Sequence, residues 1–222
     1  MTSQIKKILK TPLSSLIYSF ILAFSSSWPA FFLVRLEFLT QNSLLFWIAV
    51  GLGAFVIMFL IPIFIVRFIW NKPVTDFGLR LPELPWQALK LSLIIVLLSL
   101  PALFFFATKT SFQEYYLIKE KFNFLFILAI LANIIYYFSE EFLFRGFLLF
   151  GLFDKLKFHS FWITNLTFAL FHLGKPFAEV PFAFALGMGL SYLSYKTKSF
   201  LPGVVVHIIM ASILNTMIVF TS

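Results

Sequence analysis

The 222-residue chain contains no cysteine, and only 12% of its residues carry a charge. Without cysteine the chain can form no disulfide bond, thiolate zinc site or cysteine nucleophile, and it cannot be S-palmitoylated. The scarcity of charge and a hydrophobic fraction of 61% exclude a soluble domain, which could not cover so much apolar surface. Several apolar runs reach the roughly 20 residues that a helix needs to cross a bilayer. The sequence therefore predicts a polytopic helical membrane protein.

The apolar runs also lack the alternation that is typical of β-barrel strands. We therefore predict an all-α, polytopic transmembrane helical bundle of about seven spans. In chain order the spans are expected at 13–34, 44–68, 88–107, 124–153, 158–173, 180–195 and 200–220. Pro62 lies inside the second span and predicts a kink, and the fourth is long enough to require a tilt or a break near Gly146. The polar stretch 71–87 predicts a connector at the membrane interface, with Trp86 at the headgroup level.

Acidic residues are few: 9 Asp and Glu stand against 17 Lys and Arg, which gives a net charge of +8. The basic residues lie in short loops between apolar runs, a pattern typical of membrane topology and of contact with anionic lipids. We therefore expect membrane lipids, and no nucleic acid, among the partners. If the N-terminus lies inside, most of these Lys and Arg residues fall on that side, which predicts a cytoplasmic N-terminus.

One apolar run contains a cluster of charge formed by Glu140, Glu141 and Arg145. A charge near the centre of a bilayer costs ~2.5–3.5 kcal/mol on insertion scales, so such residues are rare unless they are paired or functional. Glu141 and Arg145 are four residues apart, which lets them pair on one face of a helix. Glu140 lies about 100° round the helix from Glu141 and must find its partners elsewhere. An ion pair with a purely structural role is the alternative interpretation.

Two of the three histidines lie in predicted spans, His172 in the fifth and His207 in the seventh, whereas His159 stands at a helix end. At roughly 1.5 Å per residue, Glu140, His172 and His207 lie at comparable depths in the membrane. A single histidine on an apolar helix is most often a hydrogen-bonded structural residue. Two histidines in separate spans, with a glutamate in a third, favour a shared polar pocket.

Such a pocket permits hydrolysis. A buried carboxylate can act as general base towards a trapped water, one imidazole can share that water, and a second can stabilise the oxyanion. The same three residues could instead bind a divalent metal such as zinc, with an open fourth position. The residues alone do not separate these two schemes. Ser139 and Ser212 show no local signature of a serine nucleophile.

Three motifs occur in the same order as in a known family: Glu140-Glu141-x-x-x-Arg145, Phe168-x-x-x-His172 and His207. This pattern resembles the CPBP family of intramembrane endopeptidases, the CaaX protease and bacteriocin-processing group that is also called Abi. The resemblance covers about 124–220, and the stretch 76–80 is similar to an upstream feature of the family. It implies that Glu140 is the catalytic base acting with His172 on the water, and that His207 assists oxyanion stabilisation.

The resemblance also implies that Glu141 and Arg145 are the pair that fixes the site, and that Phe168 packs the helix of the second motif. The family commonly has Asn four residues after the last histidine, where this chain has Ala211. Loss of one oxyanion donor lowers the rate by ~10²–10³. Asn215 lies about 80° round the helix from His207 and could replace that Asn only in a distorted helix.

Asn165, seven residues before His172, lies on nearly the same helix face and is either a further polar partner or an interhelical hydrogen-bonding residue.

We predict a bacterial inner-membrane endopeptidase of the CPBP group, glutamate-type or metal-assisted, that cleaves a membrane-associated peptide or protein. Residues 124–222 would form the catalytic core and 1–123 the N-terminal transmembrane segments with their connector. The alternatives are a catalytically silent scaffold or bacteriocin immunity protein, which Ala211 favours, and a small transporter with a proton relay.

Overall fold

The computed structural model describes residues 12–26, 28–38, 43–116 and 124–221, which are helical and contain no strand. The predicted all-α fold is thus confirmed. The helices are α1 (Pro12–Ser25), α2 (Trp28–Arg35), α3 (44–69), α4 (Pro85–Ala107), α5 (Thr110–Tyr116), α6 (124–156), α7 (His159–Phe171), α8 (Glu179–Thr197) and α9 (Leu201–Thr221). They form two compact units. One comprises 1–79 and 120–157, and the other comprises 80–119 and 158–222.

In the first unit, α3 packs closely on α6. At Gly51 of α3 an added Cβ would overlap the backbone of Ala132 in α6, so only glycine permits this approach. Further along the same pair, the Phe59 ring lies 4.9 Å from that of Phe138 and 5.0 Å from that of Phe142, between centroids. Small residues and aromatic edges therefore join these two helices. This is usual in membranes, where lipid is as apolar as the side chains and helices associate through close packing rather than through the hydrophobic effect.

Both long helices of this unit contain π-helical turns. In α3 the α-helical Ile61–Phe64 is flanked by the π-helical Phe55–Leu60 and Ile65–Ile69. Pro62 lies between them. Pro62 lacks the N–H that would bond to the carbonyl of residue 58, and its ring clashes with that carbonyl. The wider π-helical turns therefore lie next to a position where the α-helical hydrogen bond cannot form. In α6 the segment Phe142–Leu148 is π-helical and contains Gly146. The helix therefore continues past Gly146 with a change of winding.

In the second unit, α4, α5, α8 and α9 enclose an apolar core. It consists of Leu103, Phe106, Ala107, Phe112, Leu190, Leu193, Val206, Met210, Leu214 and Ile218. The connection into α4 is tied to the junction of α8 and α9. Arg80 Nε donates to the Lys198 carbonyl at 3.0 Å, Ser199 Oγ donates to the Arg80 carbonyl, and the Glu83 N–H donates to Thr197 at 2.9 Å. The bonds to Lys198 and Thr197 satisfy carbonyls that the end of α8 would otherwise leave open.

Among the described residues, three helical stretches are long and apolar enough to cross a membrane: Leu45–Ile69, Pro85–Ala107 and Leu201–Thr221. They correspond to the second, third and seventh predicted spans, so the membrane-helix prediction is confirmed. The first predicted span is divided between α1 and α2, with a turn at Ser26, and α7 has only 13 residues. The number of seven spans and the division of the chain at 123/124 stay predictions.

Trp86, which the sequence assigns to the membrane interface, is 81% exposed at the start of α4. The stretch before it contains a short 3-10 helix, Val74–Phe77, which ends at Gly78 with a φ of +77°. Phe77 is buried against the Trp70 ring, with their centroids 5.6 Å apart. The connector is therefore bent, as expected from its glycine and prolines, and its inner end is anchored by an aromatic pair.

Candidate active site

The charged cluster of α6 belongs to the first unit and is buried. Glu140, Glu141 and Arg145 are 1%, 0% and 0% exposed, and the neighbouring apolar side chains are buried as well. Arg145 Nη1 lies 3.2 Å from Glu141 Oε1, so the predicted ion pair is present. The two carboxylates end the α-helical part of α6, and Arg145 lies in its π-helical segment. Segments of this winding are rare and are frequent at functional sites.

The second unit brings the two predicted histidines to one aromatic ring. Phe168 of α7 is buried, and its centroid lies 4.5 Å from that of His172 and 6.1 Å from that of His207, both in edge-on orientations. His172 follows the last residue of α7, and His207 lies on α9; both are nearly buried, at 4% and 9% exposure. Phe168 therefore does more than pack its own helix, because it holds the two imidazoles at a common place.

The hydrogen bond of the His172 ring determines which nitrogen can take up a proton. Nδ1 lies 2.8 Å from the main-chain carbonyl oxygen of Phe168. A carbonyl oxygen only accepts hydrogen bonds, so Nδ1 carries a proton and donates it. In the neutral ring, Nε2 is then the unprotonated atom. The geometry thus gives His172 a defined tautomer with Nε2 as its basic atom.

Sequence reasoning missed Glu179, which faces that nitrogen. Glu179 is the first residue of α8 and is 9% exposed; its Oε1 lies 3.8 Å from His172 Nε2. Lys175 Nζ lies 3.1 Å from the same oxygen, and the Tyr116 hydroxyl donates at 2.7 Å to the carboxylate. The local signal was the four-residue spacing of Lys175 and Glu179, which permits an ion pair.

Asn165 joins two helices of the second unit. Its Nδ2 donates to Ser191 Oγ at 3.1 Å, and the serine hydroxyl lies 3.2 Å from Asn165 Oδ1. The same Nδ2 lies 2.8 Å from the Phe161 carbonyl. This is interhelical hydrogen bonding, one of the two roles expected from the sequence. On α9 the helix is continuous from His207 to Asn215, which leaves Asn215 about 80° round the axis and about 12 Å along it.

Each unit contains side chains whose atoms can ligate a metal ion. A catalytic zinc site takes three protein ligands and keeps a fourth position for water. Within each unit, no three His, Asp or Glu side chains of the described residues are grouped to hold a metal ion. The second unit places two such donors together, His172 Nε2 and Glu179 Oε1, but the latter is already paired with Lys175. A metal bound by Glu140, His172 and His207 stays a prediction.

Comparison with protein families identifies the segment that contains both clusters. Residues 122–213 match the family model described as Type II CAAX prenyl endopeptidase Rce1-like. This segment is therefore similar to the Rce1-like endopeptidases. The resemblance to the CaaX protease group is thereby confirmed. No curated protein and no solved structure matched the chain.

The Rce1-like segment includes Glu140, His172, Glu179, His207 and Ala211, and ends before Asn215. Tyr116, which contacts Glu179, precedes it. The family match therefore covers the three motifs, whereas the contacts of Glu179 reach outside it.

Proposed function

We propose that the protein is an intramembrane endopeptidase that hydrolyses a peptide bond in a membrane-associated protein or peptide precursor. One observation carries the proposal: the Rce1-like segment contains a buried carboxylate at Glu140 and two buried imidazoles against one phenylalanine ring. Polar residues that are this costly to bury are retained for pairing or for chemistry.

In the proposed reaction, Glu140 takes a proton from a water molecule, and the resulting hydroxide attacks the scissile carbonyl carbon. His172 orients that water through Nε2, the unprotonated ring nitrogen. His207 donates a hydrogen bond to the oxyanion that forms on the carbonyl. When the C–N bond breaks, the proton held by Glu140 passes to the leaving amine. The products are a carboxylic acid and an amine, so atoms and charge balance.

Glu141 and Arg145 fix the helix turn that presents Glu140, because their ion pair is enclosed and cannot exchange with solvent partners. Exclusion of bulk water strengthens each of the electrostatic interactions in the reaction. If the enzyme is metal-assisted, Glu140, His172 and His207 would hold the ion, and it would polarise the scissile carbonyl. We place the protein in a bacterial inner membrane with a cytoplasmic N-terminus.

A cleavage assay with the full chain in reconstituted membranes tests the proposal. The substrates are C-terminal CAAX peptides with and without a prenyl group, since the family description names them, and membrane-associated leader precursors. We expect cleavage by the wild type and a loss of at least ~10²-fold in Glu140→Gln and in His172→Ala. His159→Ala, which alters an exposed histidine at the start of α7, is the matched control and should retain activity.

A chelator arm, combined with elemental analysis of the purified protein, separates the glutamate-type scheme from the metal-assisted scheme. Resistance of cleavage to the chelator in metal-free protein favours direct activation by Glu140. Loss of cleavage that a divalent metal restores favours the metal-assisted scheme.

A catalytically silent scaffold is the second candidate, and Ala211 favours it. This residue stands one turn after His207, where the family commonly supplies an amide donor. In that case the wild type cleaves none of the substrates, while Glu140→Gln and His172→Ala still bind their partner or protect cells from a bacteriocin as the wild type does.

A further inference from the structure

Four polar side chains from different parts of the second unit, one of them His172, form a cluster. Tyr116 ends α5, His172 and Lys175 lie in the connection between α7 and α8, and Glu179 begins α8. We call Tyr116, His172, Lys175 and Glu179 the Glu179 cluster. We propose that Glu179 is a positioning residue for His172: its carboxylate, held in place by Tyr116 and Lys175, fixes the orientation of the ring and faces Nε2. This proposal rests on the proposed function.

The carboxylate of Glu179 is held from several sides. Tyr116 donates its hydroxyl at 2.7 Å and Lys175 its ammonium at 3.1 Å, so a neutral and a charged donor share one acceptor. The Glu179 N–H donates to the Pro176 carbonyl at 2.8 Å. Its place in the first turn of α8 also puts negative charge at the positive end of the helix dipole. A buried carboxylate that is bonded in this way has little freedom to move.

The ring of His172 is held at both nitrogens by different kinds of partner. Nδ1 donates to the main-chain carbonyl of Phe168 at 2.8 Å, which is a direct hydrogen bond. Nε2 lies 3.8 Å from Glu179 Oε1, which is too long for a direct bond. Glu179 therefore acts on the ring through its charge, or through a water molecule that lies beside both atoms and donates a hydrogen bond to each, because the carboxylate oxygen and the unprotonated Nε2 are both acceptors. The side of the ring that performs the chemistry is the side that faces this carboxylate.

The connection that carries the cluster is short and conformationally restricted. Between His172 and Glu179 the chain passes through Gly174, whose φ is +96°, a value that favours glycine. The Lys175 N–H bonds back to the His172 carbonyl at 3.2 Å. Because the loop turns back on His172 in this way, the Lys175–Glu179 pair fixes the backbone of the histidine as well as its ring.

The proposal is tested on the full chain in bilayers with ¹⁵N-labelled histidine. The chain has only three histidines, so the ring signals can be assigned with His159→Ala, His172→Ala and His207→Ala. In Glu179→Gln we expect the Nε2 signal of His172 to move, because the charge that faces it is lost, whereas the Nδ1 signal stays because the Phe168 carbonyl is unchanged. Glu83→Gln is the matched control, since it removes the charge of a glutamate paired with Arg80 at 2.9 Å in the same unit.

The cleavage assay provides the second readout. A positioning role predicts that kcat falls about tenfold in Glu179→Gln, with KM nearly unchanged. This loss is smaller than the one expected when a general base itself is removed. An unchanged Nε2 signal would overturn the proposal, and so would equal movement of both ring signals, which indicates general disorder of the site. If Glu179→Gln does not fold, Tyr116→Phe replaces it and should move the Nε2 signal in the same direction by less; no movement there overturns the proposal as well.

The two readouts separate the failure of this inference from the failure of the proposed function. The ring signals are measured without any substrate. A wild type that cleaves nothing, together with Nε2 movement in Glu179→Gln, rejects the proposed function but retains the coupling between Glu179 and His172. A wild type that cleaves, with no Nε2 movement and an unchanged kcat in Glu179→Gln, rejects only this inference.

Discussion

The two buried polar clusters of the chain are built in opposite ways. The cluster of Glu140, Glu141 and Arg145 lies on one helix, and its ion pair joins residues four apart. The Glu179 cluster joins the ends of three helices, and Tyr116 and Glu179 are 63 residues apart. The first is therefore stable as soon as its helix forms, whereas the second exists only after the helices have packed. The Glu141–Arg145 pair is thus a contact within one helix, whereas Tyr116 and Glu179 make a contact between helices.

The largest effect is expected at the local pair. In Arg145→Met, Glu141 is left as a buried charge without its cation, and we expect the free energy of unfolding to fall by about 3–5 kcal/mol. A denaturant titration of the purified protein in mixed micelles measures it. Replacing both residues by apolar ones, Glu141→Leu with Arg145→Met, should recover most of that loss. If the double variant is as unstable as Arg145→Met, the charge of Glu141 is not the cause.

The next effect concerns the helix that carries His207. Ala211→Asn restores the amide that the family commonly has one turn later, and we expect kcat to rise by about 10²-fold because the oxyanion gains a donor. The measurement is the steady-state rate on whichever substrate the wild type cleaves best. Ser212→Asn, on an exposed position of the same helix, is the control. A rate that stays at the wild-type value would show that His207 supplies the oxyanion interaction alone.

A smaller effect is expected where two helices share a hydrogen bond. Asn165→Ala removes the bond to Ser191 on α8 and the bond to the Phe161 carbonyl within α7, and interhelical bonds such as the first contribute about 0.6–1.7 kcal/mol. The free energy of unfolding should fall within that range. Combining Asn165→Ala with Ser191→Ala should add little, since both remove the same bond. Additive losses would mean that each side chain has a separate stabilising contact.

The smallest effect is expected at Lys175. Its side chain is 23% exposed, and Tyr116 still bonds Glu179 when the ammonium is absent, so Lys175→Met should lower the free energy of unfolding by less than about 1 kcal/mol. A loss as large as that expected for Arg145→Met would show that the Glu179 cluster depends on a single pair, and the contrast between the two clusters would not hold.

The local features of the fold and site were predictable from the sequence. The Glu141–Arg145 pair follows from helical spacing alone, and the helical membrane class follows from the length of the apolar runs. The convergence of His172 and His207 on Phe168 was only partly foreseen, because Phe168 was expected to pack its own helix. Glu179 was missed because its partner Tyr116 lies on a different helix, and periodicity carries no information on contacts of that kind.

Two features of the backbone could not be predicted from the sequence pattern either: the bonds between Arg80 and the end of α8, and the π-helical winding. The bonds between Arg80 and the end of α8 join residues 118 positions apart, so no local rule predicts them. Hydropathy identifies an apolar run but not its winding, and this is why the long fourth run was expected to tilt or break near Gly146. A π-helical turn differs from an α-helical one only in holding about one more residue, so the amino-acid composition of the run does not reveal it.

The π-helical segment Phe142–Leu148 has a consequence for the phase of α6. Each residue of an α-helix advances the direction of its side chain by about 100°. A turn that accommodates an extra residue rotates everything after it by about that angle relative to an uninterrupted helix. The direction of the Glu140 side chain and that of Leu149–Leu156 are thus set independently. Deletion of one residue within 142–148 would let the helix wind regularly and would keep Leu149–Leu156 on their present face, whereas an α-helical 142–148 of unchanged length would turn that end of α6 by about 100°.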